Sequence, residues 1–197
     1  MNQALNNLTG RPLNTVFLDR DGVLNEKMPE GRYVTRWEEF HLLPGVVEAI
    51  QLLNQAGLRA IVVSNQRGIA LGLYTEESVR AIHARFALLL AAYGVYVDGF
   101  YFCPHDRGEC TCRKPLGGMF EQALEDFPEI TAGGSVMIGD SKVDIEFGQR
   151  LGMATIFIDG DAERQGPGAE TARAMADGRF PSLRAAVTAL LAGARQA

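Results

Sequence analysis

Cysteine is scarce: the 197 residues hold three, Cys103, Cys110 and Cys112, all inside one short window. An odd number at such tight spacing is a poor disulfide framework, and metal binding is the better reading. Long apolar runs are missing too. No stretch reaches the ~18 residues that suggest a membrane span. The polar start Met1-Asn2-Gln3-Ala4-Leu5-Asn6-Asn7 lacks the charged-then-apolar order of a signal peptide, so the expected location is the cytoplasm, with no membrane partner. Nor is there an excess of basic charge. With 19 Lys+Arg against 24 Asp+Glu and a net charge of −5, the composition argues against a protein that tracks a nucleic-acid backbone. An anionic ligand would need a locally positive pocket.

What is present fits a globular chain: 47% hydrophobic and 22% charged residues. The length suits a single domain over 1–197, on a scale of ~100–200 residues per domain. Short apolar runs alternate with longer periodic ones, which predicts strands alternating with helices around a mostly parallel sheet, a three-layer Rossmann-like α/β fold. Strands are expected at Thr15–Leu18, Arg59–Val63, Val97–Phe102, Ser135–Ile138 and Thr155–Ile158. Helices are expected at Pro44–Ala56, from an N-cap at Thr75 to Gly94, at Met119–Asp126, at Val143–Leu151 and from Ser182. Residues 1–12 are expected to be flexible. Asn25 to His41, with Tyr33, Trp37 and Phe40, is too long for a tight loop and reads as a flap over the first strand's carboxyl end. Tyr33 and Trp37 suit either stacking on a sugar or packing on the sheet edge. Gly160 to Arg179, rich in Gly, Ala and charge, reads as a mobile loop with one short helix at most. No insertion is large enough for a cap domain.

Chemistry gathers where strands end. Asp19-Arg20-Asp21-Gly22 directly follows Val16-Phe17-Leu18, so two carboxylates two residues apart extend past one strand tip, with Arg20 facing away. Two such carboxylates repel unless a cation or a shared proton lies between them. Taken alone, the motif is equally an ordinary acidic turn. Ser64 closes the second strand, before Asn65-Gln66-Arg67-Gly68, and offers a hydroxyl to a phosphoryl oxygen. The fourth strand ends in Gly139-Asp140-Ser141-Lys142-Val143-Asp144. A helix starting at Ser141 would carry Asp144 over the same turn, although Asp140 or Ser141 would also serve as a simple N-cap. In open parallel sheets these tips converge on one crevice. Asp19, Asp140 and the backbone carbonyl of Asp21 would then form an oxygen shell for Mg²⁺, with Asp144 behind it.

In order along the chain, Asp19-Arg20-Asp21-Gly22, Ser64-Asn65-Gln66, Lys114 and Gly139-Asp140-Ser141-Lys142-Val143-Asp144 resemble the four motifs of the haloacid dehalogenase superfamily of phosphohydrolases. The resemblance implies a Mg²⁺-dependent phosphatase acting through an aspartyl-phosphate. Asp19 would be the nucleophile and Asp21 the general acid/base, keeping a proton while it lends only its carbonyl to the metal. Ser64 and Lys114 would bind the phosphoryl oxygens.

Cys103-Pro104-His105 with Cys110-Thr111-Cys112 supplies three thiolates and an imidazole, the ligand set of a closed structural Zn²⁺ site, or else three reduced thiols. Followed by Arg113-Lys114-Pro115, this loop resembles heptose-1,7-bisphosphate 7-phosphatases and the phosphatase domain of histidinol-phosphate phosphatases. That implies a zinc knuckle which places Arg113 and Lys114 at a small sugar-phosphate substrate. Ser64 to Gly72 is closer to the heptose enzymes, and Asn65, Gln66 and Arg67 are expected to line their substrate site. The short His105–Cys110 loop is nearer the histidinol-phosphate type, and Ser141 stands where some heptose enzymes carry a lysine. Histidinol-phosphate hydrolysis is therefore the alternative, and a phospho-acceptor without turnover is a third reading, disfavoured by Asp21. A monomer is expected.

Overall fold

The computed structural model describes residues 13–194, so the expectation for residues 1–12 lies outside the described residues. Six parallel strands form one sheet: β1 (Thr15–Leu18), β2 (Arg59–Asn65), β3 (Gly99–Cys103), β4 (Ser135–Gly139), β5 (Ala154–Ile158) and β6 (Gly178–Phe180). Their order is β3-β2-β1-β4-β5-β6. The chain runs outward from β1 through β2 to β3, then returns to the other side of β1 for β4. The order thus reverses at β1, and the crevice of a doubly wound sheet opens at its carboxyl end.

Both faces of the sheet are covered, which is why its strands read as continuous apolar runs instead of alternating ones. Val16, Leu18, Ala60, Val62, Val136 and Ile138 pack toward α1 (Val46–Gln55), α2 (Glu76–Ala92) and α6 (Leu183–Ala194). Phe17, Ile61, Val63 and Met137 point the other way, toward α3 (Gly118–Asp126) and α4 (Lys142–Leu151). Thr75 caps α2 as expected, its hydroxyl accepting the Ser78 N–H at 3.3 Å.

The third strand is shifted toward the carboxyl side of its expected span and ends on Cys103, opposite Asn65. This register sets the cysteine loop beside the tip of β2. Between β1 and α1 the flap contains a single 3-10 turn, Trp37–Glu39, with Trp37 stacked on Phe40 at 5.3 Å and Phe40 packed on Phe86 of α2. Trp37 is therefore part of the packing.

Gly160 to Arg179 carries more regular structure than the loop expected. It contains a 3-10 turn (Ala162–Arg164), the short helix α5 (Ala169–Met175) and most of β6. The charges that suggested solvation are paired against β5. Asp177 Oδ2 accepts the Thr155 N–H at 2.9 Å and its hydroxyl at 2.8 Å. Asp159 accepts from Arg173 at 2.8 Å and from Arg179 at 2.6 Å. These bonds hold a strand too short to show any periodicity.

Candidate active site

Asp19 continues the ladder just past β1, its N–H bonded to Ile138 O at 2.9 Å. Gly22 turns the chain behind it with φ +98°, a conformation that disfavours a side chain. A Cβ there would also lie 2.3 Å from Asp140 Oδ2, so only glycine lets the two tips approach. Asp140 leaves the end of β4. Ser141 caps α4, and Asp144 in the helix's first turn accepts both the N–H and the hydroxyl of Ser141 through Oδ2. Carboxylate oxygens of Asp19, Asp140 and Asp144 thereby come within 4.8 Å of one another, all on buried side chains.

Three buried acids need positive charge, and two lysines supply it. The Lys114 ammonium, 2% exposed, lies 2.6 Å from Asp19 Oδ1 and 2.6 Å from Asp144 Oδ1, and donates to Val63 O at 2.7 Å. Burial lowers its pKa, but Asp144 and Asp19 more than offset this, so it stays charged. Lys27, from the flap, reaches Asp140 Oδ2 at 2.6 Å. Even so, burial, reinforced by Asp144, pushes Asp19 up to about 7 against the pull of Lys114. Burial likewise pushes Asp140 up to about 6, opposed by Lys27. Asp140 Oδ1 is buried without a hydrogen-bond partner. Hard oxygens at this spacing, one of them unpartnered, fit a Mg²⁺-type cation.

Asp21 departs from expectation. Arg20 does not face away: once β1 ends, its side chain is buried and donates 3.0 and 2.8 Å bonds to both oxygens of Asp21. Asn25 adds a bond of 2.9 Å and Gln66 one of 3.2 Å. Burial raises the Asp21 pKa, but Arg20 and these donors more than offset it and hold the carboxyl below the usual range. These contacts favour the carboxylate form of Asp21 over the protonated one.

Ser64 is buried at the tip of β2 as anticipated. Its three neighbours, expected to line the substrate site, each make bonds within the protein. Asn65 Nδ2 donates to Lys114 O at 3.1 Å and its Oδ1 accepts the Lys114 N–H at 3.0 Å, a two-bond clamp on the lysine's backbone. Gln66 is 2% exposed, its amide bonded on both ends. Arg67 makes bonds of 2.6 and 3.0 Å to Asp106 at the tip of the cysteine loop. Arg113 is half-buried and donates to His105 O at 3.3 Å. Lys27 and Arg20 carried no sequence signal of their roles, because their partners are set by the turn and the flap.

Two cavities flank Lys27. One, of about 260 Å³, is bordered by Gly22, Asp140, Gly160 and Arg164; the other, of about 220 Å³, by Asp21, Arg32, Tyr33 and Asn65. At the end of β3, Cys103, His105, Cys110 and Cys112 bring their ligand atoms within 4.8 Å of one another. Their contacts of 3.3 to 3.8 Å are close to the edges of a tetrahedron, about 3.8 Å for thiolates on Zn²⁺, and far from the ~2 Å of a disulfide. Residues of this type at this spacing fit zinc.

Sheet order, acid cluster and buried lysine define a hydrolase of the haloacid dehalogenase type. A family model described as HAD-hydrolase-like matches residues 111–186. The D-glycero-alpha-D-manno-heptose-1,7-bisphosphate 7-phosphatase of Mycobacterium bovis is 36% identical over 169 residues, 85% of this chain and 86% of that one. The D-glycero-beta-D-manno-heptose-1,7-bisphosphate 7-phosphatase of Pseudomonas putida is 38% identical over 144 residues, 73% and 81% of the two chains. The crystal structure of D,D-heptose 1,7-bisphosphate phosphatase from B. bronchiseptica, complexed with magnesium and phosphate, superposes with a TM-score of 0.78 at 29% identity, covering 94% of this chain and all of that one. The chain belongs to the haloacid dehalogenase-like hydrolases, in the branch populated by these heptose-bisphosphate phosphatases, and is itself a phosphatase.

Proposed function

We propose that the protein removes the 7-phosphate of D-glycero-D-manno-heptose 1,7-bisphosphate through an aspartyl-phosphate on Asp19. The observation that carries this reading is the meeting of Asp19 with Lys114 and Asp140 at the strand tips, in a chain so similar to enzymes named for that reaction. A carboxylate oxygen of Asp19 attacks phosphorus, and the bond from phosphorus to the sugar oxygen breaks. Asp21, protonated when substrate is bound, gives that proton to the departing alkoxide and is left as the carboxylate. Water then attacks the aspartyl-phosphate while Asp21 takes its proton, which frees phosphate and restores Asp19. The carboxylate form favoured by Arg20 is the one this second step uses. Lys114 and the Ser64 hydroxyl hold the equatorial phosphoryl oxygens where charge develops. Mg²⁺, when held by Asp19, Asp140 and the Asp21 carbonyl with Asp144 behind them, supplies charge neutralisation at the phosphoryl group. Asn65, Arg67 and Arg113 act by fixing the loops that carry these groups.

Zn²⁺ on Cys103, His105, Cys110 and Cys112 is structural, since four protein ligands leave no position for water. The reading is of a monomer, and a cytoplasmic location suits a small sugar-phosphate substrate. Among the described residues no helix is long and apolar enough to cross a membrane.

One observation favours histidinol phosphate instead: position 141 carries a hydroxyl bonded to Asp144 and not a lysine. Phosphate release from both heptose bisphosphate anomers and from histidinol phosphate decides. We expect kcat/KM for one bisphosphate anomer to exceed that for histidinol phosphate by about tenfold or more. Comparable weak rates on all three would overturn the substrate assignment.

A further inference from the structure

Gln66 lies buried between two groups of the proposed reaction and touches both. Its Nε2 donates to Ser64 Oγ at 2.6 Å and to Asp21 Oδ2 at 3.2 Å. Its Oε1 accepts the Tyr74 hydroxyl at 2.7 Å. Tyr74 is itself 8% exposed, and its ring sits where only glycine fits at position 68: a Cβ there would lie 2.1 Å from Tyr74 Cε1. On the outer side Tyr33 of the flap packs against Tyr74, ring centroids 5.9 Å apart.

These contacts have directional consequences. A primary amide has donors at one end and an acceptor at the other. With the Tyr74 hydroxyl donating to the carbonyl end, the NH₂ end is left facing Asp21 and Ser64. The serine hydroxyl has a single proton. Because Ser64 Oγ accepts from Gln66, that proton is free to be donated to a phosphoryl oxygen. Asp21 has Asn25 and Arg20 on Oδ1 and Arg20 and Gln66 on Oδ2, so the plane of its carboxyl is fixed from both sides.

We infer that Gln66 and Tyr74 form a positioning pair: Tyr74 anchors the Gln66 amide, which orients the acid/base carboxyl of Asp21 and the phosphoryl-binding hydroxyl of Ser64 together. The inference rests on the acid/base reading of Asp21. Both side chains are buried, and the Tyr33 contact ties the pair to the flap that borders the cavity beside Asp21.

The test uses two leaving groups. Release of a sugar alkoxide needs a proton from Asp21, whereas p-nitrophenolate, with a pKa near ~7, leaves without one. For Tyr74→Phe we expect kcat/KM on the best alkyl phosphate of the substrate panel to fall about tenfold, and on p-nitrophenyl phosphate by no more than about twofold, with KM changed little. Gln66→Met should shift the alkyl-to-aryl ratio in the same direction and further, and should also lower the aryl rate through Ser64. Equal losses on the two esters, or no loss from either variant, would overturn the pair as a positioning device. Asp21→Asn is the control. Should it lower kcat/KM for both esters equally, the acid/base reading fails and takes the pairing with it; a shift in the kcat/KM ratio in Asp21→Asn without one in Tyr74→Phe and Gln66→Met refutes the pairing alone.

Discussion

The acid cluster and the cysteine knuckle each gather ligands for a cation, but they are built in opposite ways. Asp19, Asp140 and Asp144 come from two strand tips and the first turn of a helix, are buried, and face two lysine ammoniums at 2.6 Å. The knuckle takes all its ligands from residues 103–112, and its internal contacts run from sulfur to sulfur or from sulfur to the His105 ring. Burial pushes the Cys103 and Cys112 thiols up. Burial also raises Cys110, but hydrogen bonds from Cys112 and the Arg113 backbone bring it down to about 7. Burial thus favours neutral thiols at Cys103 and Cys112, and only a bound cation would hold all three sulfurs as thiolates. The acid cluster folds around its own cations, so the proposed Mg²⁺ would serve chemistry and not the fold. Apart from the Arg67 bonds to Asp106 and the Arg113 bond to His105 O, little charge pairing holds the knuckle, so the proposed Zn²⁺ would serve the fold.

Asp19→Asn is the sharpest way to break that contrast. We expect multiple-turnover phosphate release to fall by about 10³-fold or more. Tm should hold or rise, because the variant removes a carboxylate that burial already penalises. An active variant, or one that unfolds, would contradict the assignment of chemistry to one cluster and structure to the other.

Cys112→Ala, or extraction of zinc by a strong chelator, should behave in the opposite way. Metal analysis should give about one equivalent of zinc in the wild type and much less in the variant. Tm should fall by about 5 °C or more. Activity should follow, since Lys114 is two residues beyond Cys112. Removing Mg²⁺ alone should abolish activity with a far smaller change in Tm. Three titratable thiols in untreated protein, with no zinc, would refute the knuckle.

How far each region could be read from sequence follows from the same contrast. The knuckle's ligands are neighbours along the chain, so its pattern was visible at once. Asp19, Ser64 and Asp140 were legible because each closes an apolar run, and parallel topology brings such ends together. Lys114, on a loop, was legible only through resemblance. The charge partners were hidden: Lys27 meets Asp140 from 113 positions away, and Arg20 reverses its expected direction once strand geometry stops at Leu18. Asn65 and Gln66 sit in a motif that suggests substrate contact, yet their amides are taken up by Lys114, Ser64, Asp21 and Tyr74. Strand β6 was missed because Asp177 and Thr155 hold it, a side-chain bond that no pattern reveals.

Asn65 joins the two regions, and its loss should have a middling effect. Asn65→Ala removes both bonds that fix the Lys114 backbone to the tip of β2. The cost should be about 1–3 kcal/mol of stability, with kcat lowered about tenfold and zinc content unchanged. Steady-state kinetics with metal analysis on one preparation measure both. Zinc loss in this variant would mean that the clamp holds the knuckle and not merely the lysine.

The smallest effect concerns a histidine that is no ligand. Whereas His105 belongs to the knuckle, His83 on α2 is 5% exposed, stacked on Phe100 at 4.8 Å, its Nε2 without a partner. Burial, with the charge of Arg20, lowers its pKa to about 3. The folded value lies below the unfolded one, so the unfolded chain binds the extra proton first. Stability due to neutral His83 is complete above pH ~6.5 and is lost as pH falls below it, by at most ~1.4 kcal/mol per pH unit. Urea unfolding between pH 7 and 5 should therefore show a steeper loss in the wild type than in His83→Phe, whose ring keeps the stack on Phe100. Identical slopes would show that His83 takes up its proton without unfolding, and that a buried imidazole here needs no metal or partner to carry charge.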